Sequence, residues 1–175
     1  MRRWSFVTLL CAVALVASQV SRAATEGPAA FAVARVVDGD TLTLANGERV
    51  RLLQIDAPEI GQGECYAQAS RTALLQLTPV GGRVTLATDP ALDRVDRYGR
   101  LLRYVRRGSV NVNLELVRRG AAAPYFYDGD RGRHADALMA AATTAKARKR
   151  GLWGARPSTR LDPYRQVETG HCLAS

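Results

Sequence analysis

A chain of 175 residues with 47% hydrophobic and 23% charged content is long enough to bury one core and too apolar to be a disordered polymer. Its formal charge of +9, from 25 basic against 16 acidic residues, suits a polyanionic partner, because phosphate contacts supply most sequence-independent affinity for nucleic acid. Only Lys146 and Lys149 are lysines, a bias that a GC-rich genome explains as readily as selection for the guanidinium fork.

Arg2 and Arg3 precede an apolar run from Phe6 to Ala17, and small residues follow to Ala23. That is the pattern of a secretory signal peptide over residues 1–23. The run is short for a membrane span, and an uncleaved anchor is the alternative. Cleavage after Ala23 removes Arg2, Arg3 and Arg22 and lowers the formal charge from +9 to +6. The mature chain is expected in a periplasm or outside the cell, free of the membrane. It keeps two cysteines, Cys65 and Cys172, which in an oxidising compartment read as one disulfide. Neither has partners at zinc-ligand spacing.

Alternation and β-branched content predict strands over Phe31–Val37, Thr41–Ala45 and Arg49–Ile55. Asn46-Gly47 between the last two predicts a type I′ hairpin turn. The period then changes: Tyr66, Ser70, Leu74 and Leu77 fall on one face of a helix. Strands follow over Arg83–Thr88 and Leu101–Arg106. Val110, Leu114 and Val117 stripe a short helix closed by Gly120, and a last helix runs from about His134 to Arg150 with Ala135, Leu138, Met139 and Ala142 inward. Five strands with one helix between the third and fourth is the order of an OB-fold, so the class is α+β, a small antiparallel barrel with three helices over residues 24–156. Residues 157–175 have no periodicity and read as an extension held mainly by Cys172.

Acidic residues cluster in two short segments, Asp38-Gly39-Asp40-Thr41 and Asp56-Ala57-Pro58-Glu59. The hairpin brings the start of the second strand beside the end of the third, so Asp40 and Asp56 should meet. Carboxylates held together repel unless a cation lies between them, and oxygen donors with no nearby His or Cys favour Ca²⁺ or Mg²⁺. Arg51 and Arg100 supply guanidinium groups of the kind that stabilise charge on a phosphorus centre. Strict alternation would send Arg51 and Asp56 to opposite faces; the third strand must therefore end, twist or bulge before Asp56.

Asp38-Gly39-Asp40-Thr41, the run Arg51-Leu52-Leu53-Gln54-Ile55-Asp56-Ala57-Pro58-Glu59, Asp96-Arg97-Tyr98-Gly99-Arg100, Leu116-Val117-Arg118-Arg119-Gly120 and Tyr125-Phe126-Tyr127 resemble, in order and spacing, the successive motifs of the thermonuclease (staphylococcal nuclease-like) family. The likeness covers Phe31 to Trp153. It implies an OB-fold nuclease with three helices and one Ca²⁺ held by Asp40, Asp56 and the backbone carbonyl of Ala57. It further implies that Glu59 assists the attacking water, while Arg51 and Arg100 hold the scissile phosphate. Arg97, Tyr98, Tyr125 and Tyr127 would line the nucleotide site, and products would carry 3′-phosphates. The family prototype has threonine at the place of Ala57, one more residue between Gly120 and Tyr125, and no counterpart of Cys65, Cys172 or the tail.

The expected partner is DNA, RNA or both, cut by a monomer that needs no protein partner. Two rival readings are a non-cutting OB-fold that binds single strands, which loss of the acids or arginines would mark, and a phosphoesterase of small nucleotides. Comparing cleavage of long DNA with that of a nucleotide diester separates the latter.

Overall fold

The computed structural model describes residues 29–172; the leader expected over residues 1–23 lies outside them. The strands are β1 (Ala30–Val36), β2 (Thr41–Leu44), β3 (Arg49–Leu52), β4 (Ile55–Asp56), β5 (Arg83–Ala87), β6 (Leu101–Arg107), β7 (Val110–Asn111) and β8 (Ala123–Pro124). The helices are α1 (Ala67–Leu77), α2 (Val112–Arg119), α3 (Ala135–Ala147) and a short α4 (Leu152–Ala155). Among the described residues no helix is long and apolar enough to cross a membrane.

Leu42 and Leu44 on β2, Val50 and Leu52 on β3, Val84 on β5 and Val105 on β6 are buried together in one core. On β1 the inward residues are Val33 and Val36, three apart, and strict alternation cannot bury both. A register irregularity between Val33 and Arg35 supplies the extra residue, the usual effect of a β-bulge. The strands run β3-β2-β1-β5-β6, and a parallel pairing of β3 with β6 closes them into the five-stranded barrel that the order of elements predicted.

The third strand is shorter than Arg49–Ile55. Gln54 adopts φ 60°, which ends β3 at Leu52 and starts a new pairing of Ile55 and Asp56 with Pro124 and Ala123. The hairpin turn also differs from the type I′ expected. Only Gly47 has positive φ, at 88°. Its N–H donates to the Leu44 carbonyl at 2.9 Å and the Leu44 N–H donates to Glu48 at 2.9 Å, a three-residue loop with a glycine bulge. Asn46 serves instead through its side chain, accepting the Glu48 N–H at 3.1 Å.

α1 turns Ala67, Ser70, Leu74 and Leu77 inward, with Tyr66 left outside as its cap. α2 begins at Val112, not Val110, because the Asn111 side chain caps it by accepting the Leu114 N–H. α3 stops at Ala147, short of Arg150, and buries Ala135, Leu138, Ala142 and Ala145, with Met139 only partly covered. Asn113, fully buried, accepts the Val105 N–H at 2.9 Å and donates to the Leu53 carbonyl at 2.9 Å. It thereby ties α2 to β6 and to the turn before Asp56. Asn113→Ala would leave a donor and an acceptor buried without partners, a cost of about 2–4 kcal/mol, to be read as a fall in urea midpoint at unchanged m.

The tail is held along its length, not mainly at its end. Thr159 accepts from Lys146 Nζ at 2.7 Å, Pro163 accepts the Phe126 N–H at 2.6 Å, and Val167 is buried in a second small cluster with Ala123, Ala145, Leu152 and Trp153. Cys65 and Cys172 form the expected disulfide.

Candidate active site

Asp40 ends the loop between β1 and β2 and is 1% exposed; Asp56, on β4, is 2% exposed. Arg51 points from β3 between them. Its Nη2 lies 3.0 Å from Asp40 Oδ2 and 2.7 Å from Asp56 Oδ1. Its Nη1 donates to the carbonyls of Leu52 at 3.0 Å and Ile55 at 2.6 Å. The left-handed Gln54 lets this happen: the chain reverses its facing between Leu52 and Ile55, so two residues five apart point at each other. The break that alternation demanded is there.

Each carboxylate has further donors. Asp40 Oδ2 accepts the Ala57 N–H at 2.9 Å and Oδ1 the Thr41 hydroxyl at 3.0 Å. Asp56 Oδ2 accepts the Val167 N–H at 2.8 Å. Asp38 accepts the Asp40 N–H at 3.1 Å. Burial raises both carboxyls above the usual carboxylate range, well above it for Asp40, although the Arg51 charge pulls each down. Burial also disfavours the Arg51 charge, but Asp40 and Asp56 outweigh it and hold that guanidinium firmly protonated.

Asp40 Oδ2 and Asp56 Oδ1 share one nitrogen, a cationic donor, at 3.0 and 2.7 Å. Oxygens that close can share a hard cation, which Ca²⁺ would bind at roughly 2.3–2.6 Å. One guanidinium also leaves the pair of acids with a net negative charge. Among the described residues no third His, Cys, Asp or Glu completes a three-side-chain set. The remaining ligands would be backbone oxygen and water, and the Ala57 carbonyl, adjacent to Asp56, accepts no hydrogen bond among the described residues. The donor set fits a hard ion.

Glu59 is half-buried in the loop after β4. Burial, then Asp38 and Asp56, raise its carboxyl, with Arg51 opposing. Its backbone N–H donates to Glu64 Oε2 at 2.6 Å. Arg100 stands at the entry to β6, half-buried, with Nε on Asp96 Oδ2 at 2.6 Å and its guanidinium 5.4 Å from the Tyr98 ring. It makes no contact with the acids themselves; the register Val50 with Leu101 sets it at the start of the β3–β6 seam that carries Arg51.

Arg97 and Tyr98 are exposed and bonded to each other at 2.6 Å, and Arg97 lies over the Tyr98 ring at 4.8 Å. Tyr125 and Tyr127 meet edge to face at 6.4 Å. Tyr125 is held beside the acids because its N–H donates to the Gln54 carbonyl at 3.0 Å. Burial, then Asp56, raises the Tyr125 hydroxyl. Arg97 is raised by the Tyr98 hydroxyl and, at longer range, by Tyr127. Two contributors were not foreseen, Glu64 and the Val167 amide, which act through loop and backbone contacts with no sequence pattern.

The family model of the staphylococcal nuclease homologues matches residues 49–155. A Haemophilus influenzae protein described as an uncharacterized endonuclease is 34% identical over 140 residues, covering 78% of this chain and 72% of that protein. The micrococcal nuclease of Shigella flexneri is 35% identical over 134 residues, covering 69% and 71%. Endonuclease YhcR of Bacillus subtilis is 32% identical over 155 residues, 79% of this chain but only 12% of its own length.

Proposed function

The chain belongs to the family of staphylococcal nuclease homologues and is a phosphodiester-hydrolysing nuclease, and from that premise we propose that it is an exported, Ca²⁺-dependent nuclease of DNA, RNA or both that leaves 3′-phosphate ends. The observation that carries the metal is the approach of Asp40 and Asp56 to one Arg51 nitrogen. These two carboxylates and the Ala57 carbonyl would hold Ca²⁺, which supplies charge neutralisation and polarisation at the phosphate.

The remaining work falls to this chain's side chains. Glu59, its basicity raised by burial, takes a proton from the attacking water or holds that water in line. Arg51, protonated and held through Nη1 by the carbonyls of Leu52 and Ile55, presents an oriented positive charge to the phosphate as it becomes more negative. Arg100, held by Asp96, does the same from across the β3–β6 seam. Arg97, Tyr98, Tyr125 and Tyr127 offer cationic and ring faces to the flanking nucleotide. Every acid and arginine in this assignment is present, which weighs against a binding-only OB-fold. The disulfide suits export to an oxidising compartment.

The test is digestion of single- and double-stranded DNA and RNA with Ca²⁺, with Mg²⁺ and with chelator. Cleavage should require Ca²⁺, and full activity in excess chelator would remove the metal from the reading. A second measurement follows from the raised carboxyls. A raised folded-state value means stability that is present below the unfolded carboxylate value of about 3.9 and lost as pH rises through the folded one. Burial therefore makes the charged form of both carboxyls costly in the metal-free protein. Ca²⁺ offsets that cost and protons compete for the same oxygens, so the rise in Tm on adding Ca²⁺ should be larger near pH 7 than near pH 5. Equal shifts at both would show that these carboxyls do not take up the ion.

A further inference from the structure

Residues 166–172 run back along the loop that follows β4, and contacts join the two at almost every step. The Val167 N–H donates to Asp56 Oδ2 at 2.8 Å. The Thr169 N–H donates to Glu64 Oε1 at 3.3 Å, and its hydroxyl donates to the Cys65 carbonyl at 2.7 Å. The Cys65 N–H donates to the Gly170 carbonyl at 2.6 Å. His171 Nδ1 lies 3.0 Å from the Gly63 carbonyl, and Cys172 is bonded to Cys65. Glu64 is the pivot of the set: while one oxygen takes Thr169, the other takes the Glu59 N–H at 2.6 Å.

These bonds end on two groups with assigned chemistry, Asp56 and the backbone of Glu59. An anchor for a loose tail would need only the disulfide and the buried Val167 side chain. Here a backbone N–H of the tail is spent on the one Asp56 oxygen that Arg51 does not hold, fixing the rotation of that carboxylate. A charged side chain is spent joining the tail to Glu59. Groups that orient a metal-binding carboxylate from behind commonly change metal affinity by about 10- to 100-fold when removed.

We propose that the C-terminal segment 166–172 is a working part of the active site, in which the Val167 amide and Glu64 are positioning groups, the first for Asp56 and the second for the Glu59 loop. The proposal rests on the reading of Asp56 as a metal ligand and Glu59 as the group that serves water. It makes the segment after the barrel a determinant of Ca²⁺ affinity and turnover.

The experiment pairs two changes at one residue in the full-length, oxidised protein. Val167→Ala removes methyl groups and keeps the N–H; Val167→Pro removes the N–H. Ca²⁺ affinity by titration calorimetry, which needs no substrate, should fall about tenfold or more in Val167→Pro relative to Val167→Ala, with kcat falling and KM for a DNA oligonucleotide little changed. Equal Ca²⁺ affinity in the two variants overturns the role of the amide. Glu64→Gln and Glu64→Ala form a second arm that does not alter the backbone. Glu64→Ala should lower kcat by about tenfold with Ca²⁺ affinity nearly kept, and Glu64→Gln should lower it less because it retains one acceptor. Unchanged kcat in Glu64→Ala overturns the role of that residue, and this arm decides the proposal if Val167→Pro fails to fold. Wild type in the same calorimeter separates the two levels: no Ca²⁺ uptake there overturns the metal reading and the tail's role together, whereas uptake in wild type with equal affinity in Val167→Pro and Val167→Ala and unchanged kcat in Glu64→Ala overturns the tail's role alone.

Discussion

Arg51→Lys should lower turnover by about a hundredfold or more and should also destabilise the metal-free protein. Arg51 is buried at the barrel surface with side-chain exposure of 11%, and both carboxylates it touches are nearly inaccessible. An ammonium group carries the charge but cannot make two contacts to acids through one nitrogen and two to carbonyls through another. Two buried acids left partly uncompensated cost at most roughly 3–5 kcal/mol, the loss when one member of a buried ion pair is removed outright. Arg100→Lys is the informative comparison. Arg100 is more exposed and pairs only with Asp96, so its replacement should lower turnover with little change in Tm. Excess Ca²⁺ should recover part of the stability of Arg51→Lys and none of its turnover. A lysine variant at position 51 with normal turnover would take this residue off the catalytic assignment.

Gly39→Ala should do comparable damage from outside the reacting groups. A Cβ built on Gly39 would lie 2.6 Å from the Cβ of Ala57 and 2.6 Å from the Cβ of Ser70. Neither neighbour is the free end of a flexible chain. Ala57 belongs to the loop that donates to Asp40, and Ser70 is fixed to α1 with its hydroxyl on the Ala121 carbonyl at 2.6 Å. The loop carrying Asp38 and Asp40 must therefore lift away, which parts Asp40 from the Ala57 N–H. Overpacking of this kind costs about 1–3 kcal/mol, and Ca²⁺ affinity should fall at least about tenfold. Gly61→Ala is the control, since nothing lies within 4 Å of a Cβ there and both quantities should stay near wild type. If Gly39→Ala binds Ca²⁺ normally, the loop has slack that this packing does not show.

What the sequence made legible follows from what leaves a pattern in side chains. Alternating valines and leucines marked the barrel strands, and the Asn46-Gly47 join marked a hairpin, so the convergence of Asp40 and Asp56 could be argued before any coordinates. Even the need for a break between Arg51 and Asp56 was legible from parity. Its place was not, because the break sits on Gln54, a residue type that does not advertise positive φ. The tail escaped for a similar reason. Val167 works through an amide N–H and Gly170 through a carbonyl, groups that every residue has and that no spacing rule distinguishes. Helix ends moved by a few residues where a cap such as Asn111 took precedence over the apolar stripe. The family resemblance supplied the candidate catalytic side chains and was silent on Glu64 and on residues 166–172, whose segment has no counterpart in the prototype.

The parallel pairing of β3 with β6 has a kinetic meaning. Asp40, Asp56 and Arg51 all lie within residues 29–56; the local β2–β3 hairpin places Asp40 and Arg51, and the pairing of β4 with β8 places Asp56. Arg100 arrives only with β6, when Arg51 and Leu102 come into register. Closing a loop over such a span costs entropy and is slow. A chain with its β2–β3 hairpin and β4–β8 pairing formed and its β3–β6 seam open would hold the acids and one arginine but lack the second. It would take up metal and leave the phosphodiester bond intact. Along a denaturant gradient, ion uptake and strand scission are thus two separate clocks, and the gap between them reports how far the seam has opened.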